Sequence, residues 1–244
     1  MTLADIASYE AIKRPPICTP YRQWKVCGMG PPSSGGIAVA QILGILEHFD
    51  LSAINPASLE AVHLVGEAGA LAFADRNAYL ADSDFIPVPI DSMLDRNYLK
   101  SRAKFISSNR AGPKRKPGNF TKSSTFNYAP DATNKGMSTS HISTVDADGN
   151  SVSMTTSIET VFGSRLMTGG FILNNQLTDF SFHPIRAHKP VANRVEPGKR
   201  PRSSMSPTLV LDRDGGLIMA IGSPGGSRIC LLYTSDAADE RSSV

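Results

Sequence analysis

The chain has 244 residues, of which 41% are hydrophobic and 19% charged, a globular composition that excludes wholesale disorder. Its formal net charge of +3 is too small to indicate a nucleic-acid partner or an anionic membrane surface. Three cysteines without a CxxC pair exclude a disulfide-rich scaffold and argue against a zinc knuckle, and no apolar run is long enough to span a bilayer.

The first hundred residues predict helices. Residues 1–100 are interpreted as helical, with one glycine- and proline-rich break over residues 29–36 (MGPPSSGG). Residues 37–49 are apolar on most faces, as in a buried helix, and residues 56–79 repeat apolar side chains at helical spacing. Residues 85–90 (FIPVPI) are predicted to be extended, because each proline keeps the preceding residue out of the helical region.

The segment 101–138 has a different composition, rich in basic residues, turn formers and small polar residues. Such a segment buries too little apolar surface to offset the entropy of ordering it, so we expect an exposed, mobile linker. Its basic cluster could also suggest a nucleic-acid patch, but a solvated loop explains it better. We expect no nucleic-acid partner.

Strands dominate after the linker. Residues 141–145 and 151–158 flank the turn sequence DADGN and predict a β-hairpin, and residues 207–211 and 217–221 predict a second hairpin. Residues 171–173 predict a further short strand. Helices followed by consecutive strands indicate an α+β architecture of sheet layers covered by helices.

Several polar clusters lie at predicted strand ends or in glycine-rich turns, and each is a weak signal alone. His141 could act as the base for a Ser or Thr nucleophile, although a histidine on a half-buried strand is the commoner case. The sequence GSPGG lacks the Lys-Ser/Thr pair of a phosphate-binding loop. We expect no metal and no cofactor.

In combination these clusters resemble the γ-glutamyltranspeptidase family. The resemblance covers residues 1–229 in family order and rests on these segments: MGPPSSGGIAVAQILGILEHFD, LAFADRNAYLADSDFIPVPI, TSHISTVDADGNSVSMTTSIETVFGSRL, FILNNQLTDFS, GKRPRSSMSPTLV and GSPGGSRI. It implies the αββα sandwich of the N-terminal-nucleophile hydrolases, here incomplete at both ends. It also implies that the precursor cuts itself between Ser138 and Thr139. Residues 1–138 would then end the large subunit and residues 139–229 begin the small subunit.

The family's roles carry over by motif position. Thr139 matches the nucleophile, whose α-amine is freed by the cut and can serve as the base. Gly225 and Gly226 match the glycines whose N–H groups form the oxyanion hole. The other matches are Ser157, which orients the nucleophile; Ser203 and Ser204, which bind the substrate α-carboxylate; and Gln176 and Asp179, which bind the α-ammonium.

One matched position departs from the family pattern. Glu159 stands where well-known members have Asn beside the α-ammonium, and it adds a negative charge to the site. This leaves two acyl preferences open, the γ-glutamyl group and that of the related cephalosporin/glutaryl acylases. A third alternative is that the chain as written is truncated and inactive.

The resemblance implies a γ-glutamyltransferase/glutathione hydrolase. It would pass the γ-glutamyl group of glutathione or another γ-glutamyl compound to water or to an amino-acid or dipeptide acceptor. It would work as a heterodimer of the two subunits of one precursor. We expect a periplasmic or secreted location, and an upstream arginine outside this chain to pair with the substrate carboxylate.

The last residues predict a foreign tail. Residues 230–240 (CLLYTSDAADE) correspond to the translation of a common transposase sequencing adaptor, so we expect residues 230–244 not to belong to the natural protein. A sandwich that lacks strands at both ends exposes sheet edges and core. We therefore expect the chain as written to fold poorly and to be inactive.

Overall fold

The computed structural model describes residues 2–120, 126–132, 139–226 and 229. The α-helices within these residues are α1 (Leu3–Ala7), α2 (Gly35–Leu46), α3 (Leu59–Tyr79), α4 (Ile90–Met93) and α5 (Arg96–Ala103). Short 3-10 helices cover Leu51–Ala53 and Gln176–Asp179. No helix in this part of the chain is both long and apolar enough to cross a membrane.

The strands of the same residues are all antiparallel to their sheet neighbours. They are β1 (Ile17–Tyr21), β2 (Trp24–Gly28), β3 (Ser140–Val145), β4 (Ser151–Thr156), β5 (Met167–Thr168), β6 (Phe171–Ile172), β7 (Ile185–Arg186), β8 (Lys189–Pro190), β9 (Thr208–Leu211) and β10 (Leu217–Ile221). One sheet has the order β1-β2-β9-β10, and the other pairs are two-stranded hairpins. The mixed helix and sheet content confirms the α+β prediction.

Helices α2 and α3 form the centre of the core. α2 is buried on nearly every face, as its uniformly apolar sequence predicts, and it packs against α3 and α5. The apolar stripe of α3 contributes Leu64, Leu71 and Ala72, which pack around Ile42 and Ile45 of α2. Burying each of these larger side chains stabilises the fold by about 1.5–3 kcal/mol, so α3 is held firmly against α2.

The central sheet joins residues that precede Thr139 to residues that follow it. β2 pairs with β9, with Val26 opposite Val210 and Gly28 opposite Thr208. If the chain is cut before Thr139, this ladder becomes an intersubunit sheet.

The first hundred residues are not wholly helical, and that prediction is wrong for residues 17–28. These residues form the hairpin of β1 and β2, in which Cys18 lies directly opposite Cys27. The two cysteines form a disulfide. The helical prediction failed here because the pairing of β2 with β9, far along the chain, determines the conformation.

Both hairpins predicted after the linker are confirmed. β3 and β4 pair in register from Ser140 opposite Thr156 to Val145 opposite Ser151. The turn between them places Gly149 at a φ of 83° and is closed by hydrogen bonds to Asp146. The second hairpin is β9–β10.

The segment 101–138 differs from the exposed linker that its composition predicts, at least up to Gly118. α5 continues to Ala103, inside the segment 101–138. Farther along, Arg115 forms an ion pair with Glu67 of α3, and the Gly118 N–H donates to the buried Asp75 at 2.7 Å. These polar contacts with α3 could not be predicted from the composition of the segment alone. Residues 121–125 and 133–138 lie outside the described residues, and the division at Ser138 stays a prediction.

Candidate active site

The PPSSGG segment at the start of α2 is hydrogen-bonded to residues 203–205, which line the site. Ser33 Oγ donates to the Met205 carbonyl at 2.6 Å, and Ser34 Oγ donates to the Ser203 carbonyl at 2.8 Å. The Ser34 N–H also donates to the Ser203 carbonyl, at 3.0 Å. Both serines are buried. Residues 203–205 are therefore held by hydrogen bonds to the start of α2.

All nine site residues predicted from the sequence line one cavity. The cavity is lined by Arg76, Thr139, Ser157, Glu159, Gln176, Asp179, Ser203, Ser204, Met205, Gly225, Gly226 and Ile229. These residues come from six separated stretches of the chain. Ser138, the other half of the predicted cleavage site, lies outside the described residues.

The β3–β4 hairpin positions Thr139 and Ser157 together. Ser140 is paired with Thr156, so the residues just beyond this pair lie next to each other at the same end of the hairpin. The Ser157 hydroxyl accepts a hydrogen bond from the Glu159 N–H at 2.9 Å. That bond holds Ser157 in a tight turn beside Thr139.

Two carboxylates line the cavity near this turn. Asp179 ends the 3-10 helix that begins at Gln176, and Gln176 Nε2 donates to Asp179 Oδ2 at 2.9 Å. Glu159 has a φ of 75°, and Thr178 Oγ1 donates to its carboxylate at 3.5 Å. A non-glycine residue in the left-handed region is strained, and Asn tolerates that conformation better than Glu. The Asn that the resemblance implied at this position suits the observed backbone.

The glycine-rich loop supplies a third wall of the cavity. Gly225 has a φ of 146°, which a residue with a Cβ rarely adopts. Preceding it, the Ser223 hydroxyl donates to the Pro224 carbonyl at 2.8 Å. Together Gly225 and Gly226 expose backbone to the cavity without side chains in the way.

His141 does not line the cavity. One ring nitrogen lies 2.9 Å from Thr155 Oγ1 and the other 2.9 Å from Ser143 Oγ. The ring also packs against Gly222 so closely that a Cβ there would overlap it. Burial lowers the pKa of His141. Its position is that of a hydrogen-bonded strand residue rather than a base for Thr139.

Three cavity residues were not predicted from the sequence: Met205, Ile229 and Arg76, which lies in the last turn of α3 and is the charged one of the three. The Arg76 side chain is only 4% exposed, and its guanidinium donates to the hydroxyls of Ser34 and Ser204. Its one sequence signal is its place in LAFADRNAYLAD, within the segments that carry the resemblance. The resemblance implies a carboxylate-binding arginine only upstream of this chain.

A second arginine is buried behind the serine pair. Arg202 forms an ion pair with Asp131 at 3.0 Å and donates to the carbonyls of Arg76 and Leu80. Burial and the nearby charge of Arg76 lower the pKa of Arg202. The cavity itself is lined by the cationic Arg76 and the anionic Glu159 and Asp179. The described residues contain no cluster of three or more His, Cys, Asp or Glu suited to hold a metal ion.

Comparison with known families shows the family of the chain. Residues 1–235 match the sequence model of the family described as gamma-glutamyltranspeptidase. The chain belongs to this family. The match includes the first residues of the predicted foreign tail, which lies outside the described residues and stays a prediction.

Curated relatives include proteins named as glutathione hydrolases and as an acylase. The chain is 43% identical to the glutathione hydrolase proenzyme of Escherichia coli (strain K12) over 238 residues, which cover 94% of this chain and 39% of that protein. It is 37% identical to the acylase ACY 1 proenzyme of Pseudomonas sp. (strain V22), covering 93% of this chain and 38% of that protein. The chain thus spans about two fifths of the length of these curated relatives.

A solved structure shares the fold. The cephalosporin acylase from Bacillus halodurans superimposes with a TM-score of 0.78 over 98% of this chain and 40% of its own chain, at 24% sequence identity. This similarity confirms the predicted N-terminal-nucleophile hydrolase fold.

Proposed function

We propose that this chain belongs to a self-processing γ-glutamyltransferase/glutathione hydrolase with Thr139 as its nucleophile. The observation that carries the proposal is the convergence of Thr139, two backbone-exposing glycines, a serine pair and two carboxylates on one cavity. The relatives named as glutathione hydrolase proenzymes support a precursor that is processed.

The nucleophile needs a base, and self-cleavage would provide one. Cutting the Ser138–Thr139 bond frees the α-amine of Thr139, whose pKa is near ~8 in model compounds. The amine takes the hydroxyl proton as Thr139 Oγ attacks the γ-carbonyl carbon of the substrate. The proton then passes to the leaving amine, and a γ-glutamyl ester of Thr139 remains. Water or an acceptor amine cleaves that ester and restores the hydroxyl.

The glycine loop would stabilise the oxyanion of each tetrahedral intermediate. In this proposal the N–H groups of Gly225 and Gly226 donate to the developing negative charge, and the absence of side chains lets the substrate approach closely. Removal of one such donor costs about 10²–10³ in rate in comparable sites. Ser157, beside Thr139, orients the nucleophile.

The charged groups of the cavity suit a zwitterionic acyl donor. Glu159 and Asp179 would bind the α-ammonium by charge-assisted hydrogen bonds, with Gln176 holding the Asp179 carboxylate in place. Ser203 and Ser204 would bind the α-carboxylate. A γ-glutamyl group carries both charges on one carbon, whereas a glutaryl group carries only the carboxylate.

A second candidate is an acylase of the same fold. The similarity to an acylase proenzyme at 37% identity favours it. In that case the two carboxylates, Glu159 and Asp179, would not need an ammonium partner. Comparison of acyl groups on one leaving group separates the two candidates.

The subunit arrangement and location are also proposals. The two subunits would form a heterodimer, since β2 pairs with β9 and Asp131 pairs with Arg202 across the predicted cut. The disulfide between Cys18 and Cys27 supports a periplasmic or secreted location, because disulfides persist in oxidising compartments.

The test uses a full-length protein that contains this chain. We expect two bands on a denaturing gel, with the smaller starting at Thr139, and faster release from γ-glutamyl-p-nitroanilide than from glutaryl-p-nitroanilide. Thr139→Ala should abolish both cleavage and release. A Thr139→Ala protein that still splits at this bond would remove the nucleophile assignment. Equal turnover of the two substrates would favour the acylase.

A further inference from the structure

Arg76 links α3 to the serine pair that faces the cavity. Its Nε donates to Ser34 Oγ at 3.0 Å, and one terminal nitrogen donates to Ser204 Oγ. The other terminal nitrogen donates to Asn77 Oδ1 at 2.9 Å. A guanidinium on a long side chain is thus fixed at three points, within a helix whose apolar face is buried in the core.

We propose that Arg76 is a positioning residue for carboxylate recognition: its hydrogen bond orients and polarises the Ser204 hydroxyl as a donor to the substrate carboxylate. This inference rests on the proposed function of the same cavity. It adds a residue of this chain to carboxylate recognition, for which the resemblance implies the serine pair and an arginine upstream.

The direction of the hydrogen bonds carries the argument. A guanidinium has donors and no acceptor, so Ser204 Oγ must accept from Arg76. The hydrogen of the Ser204 hydroxyl is then directed away from the guanidinium and can donate to an anion in the cavity. Ser34 shows the same polarity, because its Oγ accepts from Arg76 and donates to the Ser203 carbonyl.

Burial makes this arrangement effective. Arg76 is 4% exposed and Ser204 is 7% exposed, so little water competes for their hydrogen bonds. The guanidinium also lies over the ring of Phe73, with its carbon 5.3 Å from the ring centre. A charge held in such surroundings polarises the hydroxyl that it binds with little screening by water.

Arg202 is a matched control, because it is an equally buried arginine in the same region that does not line the cavity. Its hydrogen bonds go to Asp131 and to the carbonyls of Arg76 and Leu80. We therefore expect Arg202→Lys to weaken the fold without changing which acyl groups are accepted.

The test compares three acyl groups on p-nitroaniline in the full-length protein. The γ-glutamyl group carries carboxylate and ammonium, the glutaryl group only the carboxylate, and the 4-aminobutyryl group only the ammonium. Arg76→Gln should lower kcat/KM by about 10- to 100-fold for the first two, mainly through KM, and by less than about 3-fold for the third. Slow substrates are followed at high enzyme concentration.

Two further variants make the result specific. In a Ser204→Ala background, Arg76→Gln should cost less than about 3-fold, because the arginine acts through the missing hydroxyl. Arg76→Lys keeps the charge but loses the fork, and we expect a selective loss of about 5-fold or more for carboxylate-bearing substrates. If Arg76→Gln fails to fold, the Arg76→Lys variant provides the test instead.

Equal losses for all three acyl groups, or losses that add to those of Ser204→Ala, would show a purely structural role and overturn the inference. The failure of the proposed function has a different signature. A wild-type protein that releases p-nitroaniline from none of the three substrates overturns both. A wild-type protein that is active, with unchanged selectivity in both Arg76 variants, overturns only the inference about Arg76.

Discussion

Replacing Gly35 by alanine tests whether the start of α2 positions the serine pair. A Cβ at Gly35 would lie 2.3 Å from the Met205 carbonyl oxygen, 2.8 Å from its carbonyl carbon and 2.5 Å from Ser206 Cβ. Two of these three atoms belong to the backbone. They cannot move aside by a side-chain rotation, so the segment after Arg202 must shift.

The size of the shift follows from these distances. Ordinary carbon–oxygen contact requires the Met205 carbonyl to retreat by about 1 Å. Met205 directly follows Ser204 and lines the cavity itself, so the displacement reaches the proposed carboxylate site. A misplacement of about 1 Å can cost about 10²-fold in rate, and overpacking typically costs about 1–3 kcal/mol of stability.

Gly66→Ala is the matched control, because it adds the same methyl group within α3. A Cβ at Gly66 meets no atom within 4 Å. Since glycine is a poor residue in a helix interior, this variant should gain about 0.5–1 kcal/mol in the free energy of unfolding.

The assay measures thermal unfolding, self-cleavage on a denaturing gel, and kcat/KM for γ-glutamyl-p-nitroanilide, all in the full-length protein. We expect Gly35→Ala to unfold at a lower temperature than wild type and to lose about 10²-fold in kcat/KM. The Gly66→Ala protein should match or exceed wild type in stability and equal it in activity. A Gly35→Ala protein that is as active as Gly66→Ala would refute the reasoning.

Three other predictions concern stability. Cys18→Ser should lower the free energy of unfolding by about 2–4 kcal/mol, and adding a reductant to wild type should lower its melting temperature toward that of the variant. Asp131→Ala leaves the buried Arg202 without its carboxylate and should cost about 3–5 kcal/mol in a denaturant titration, a loss that Arg202→Met in the same protein should partly restore. The hydrogen bond from the Lys199 ammonium lowers the pKa of Glu196 below its ordinary value of 4.5. The interaction therefore stabilises the fold fully above pH 4.5, and this stabilisation is lost as the pH falls through the lowered pKa. The difference in melting temperature between wild type and Glu196→Gln should therefore shrink on acidification, and a constant difference from pH 7 to pH 3 would contradict this assignment.

Much of the local structure could be predicted because it depends on short-range patterns. The apolar run of α2 and the apolar spacing of α3 indicated helices, and Ser58 caps α3 by accepting from the Ala61 N–H at 3.2 Å. The β3–β4 hairpin was predictable because Asp146 and Gly149 have the conformational preferences that its turn requires.

The β1–β2 hairpin and the contacts of the supposed linker were not predictable in this way. β2 is stabilised by β9, about 180 residues along the chain, and no local pattern encodes that pairing. Likewise, the anchoring of Arg115 by Glu67 and of Gly118 by Asp75 depends on which side of α3 the segment crosses. The polar composition indicated an exposed segment. Instead, the carboxylates of Glu67 and Asp75 on α3 bind its polar groups.

The sequence alone determined the family resemblance, the likeness of Thr139 to a nucleophile, and the set of residues to examine. Motif residues can be matched one by one without coordinates. The tertiary structure alone decided that these residues share a cavity, that Glu159 adopts a left-handed conformation, and that Arg76 belongs beside Ser204. The physical reason is distance along the chain: Arg76 and Ser204 are 128 residues apart, and only the packing of α3 and the segment after Arg202 brings a guanidinium to a hydroxyl.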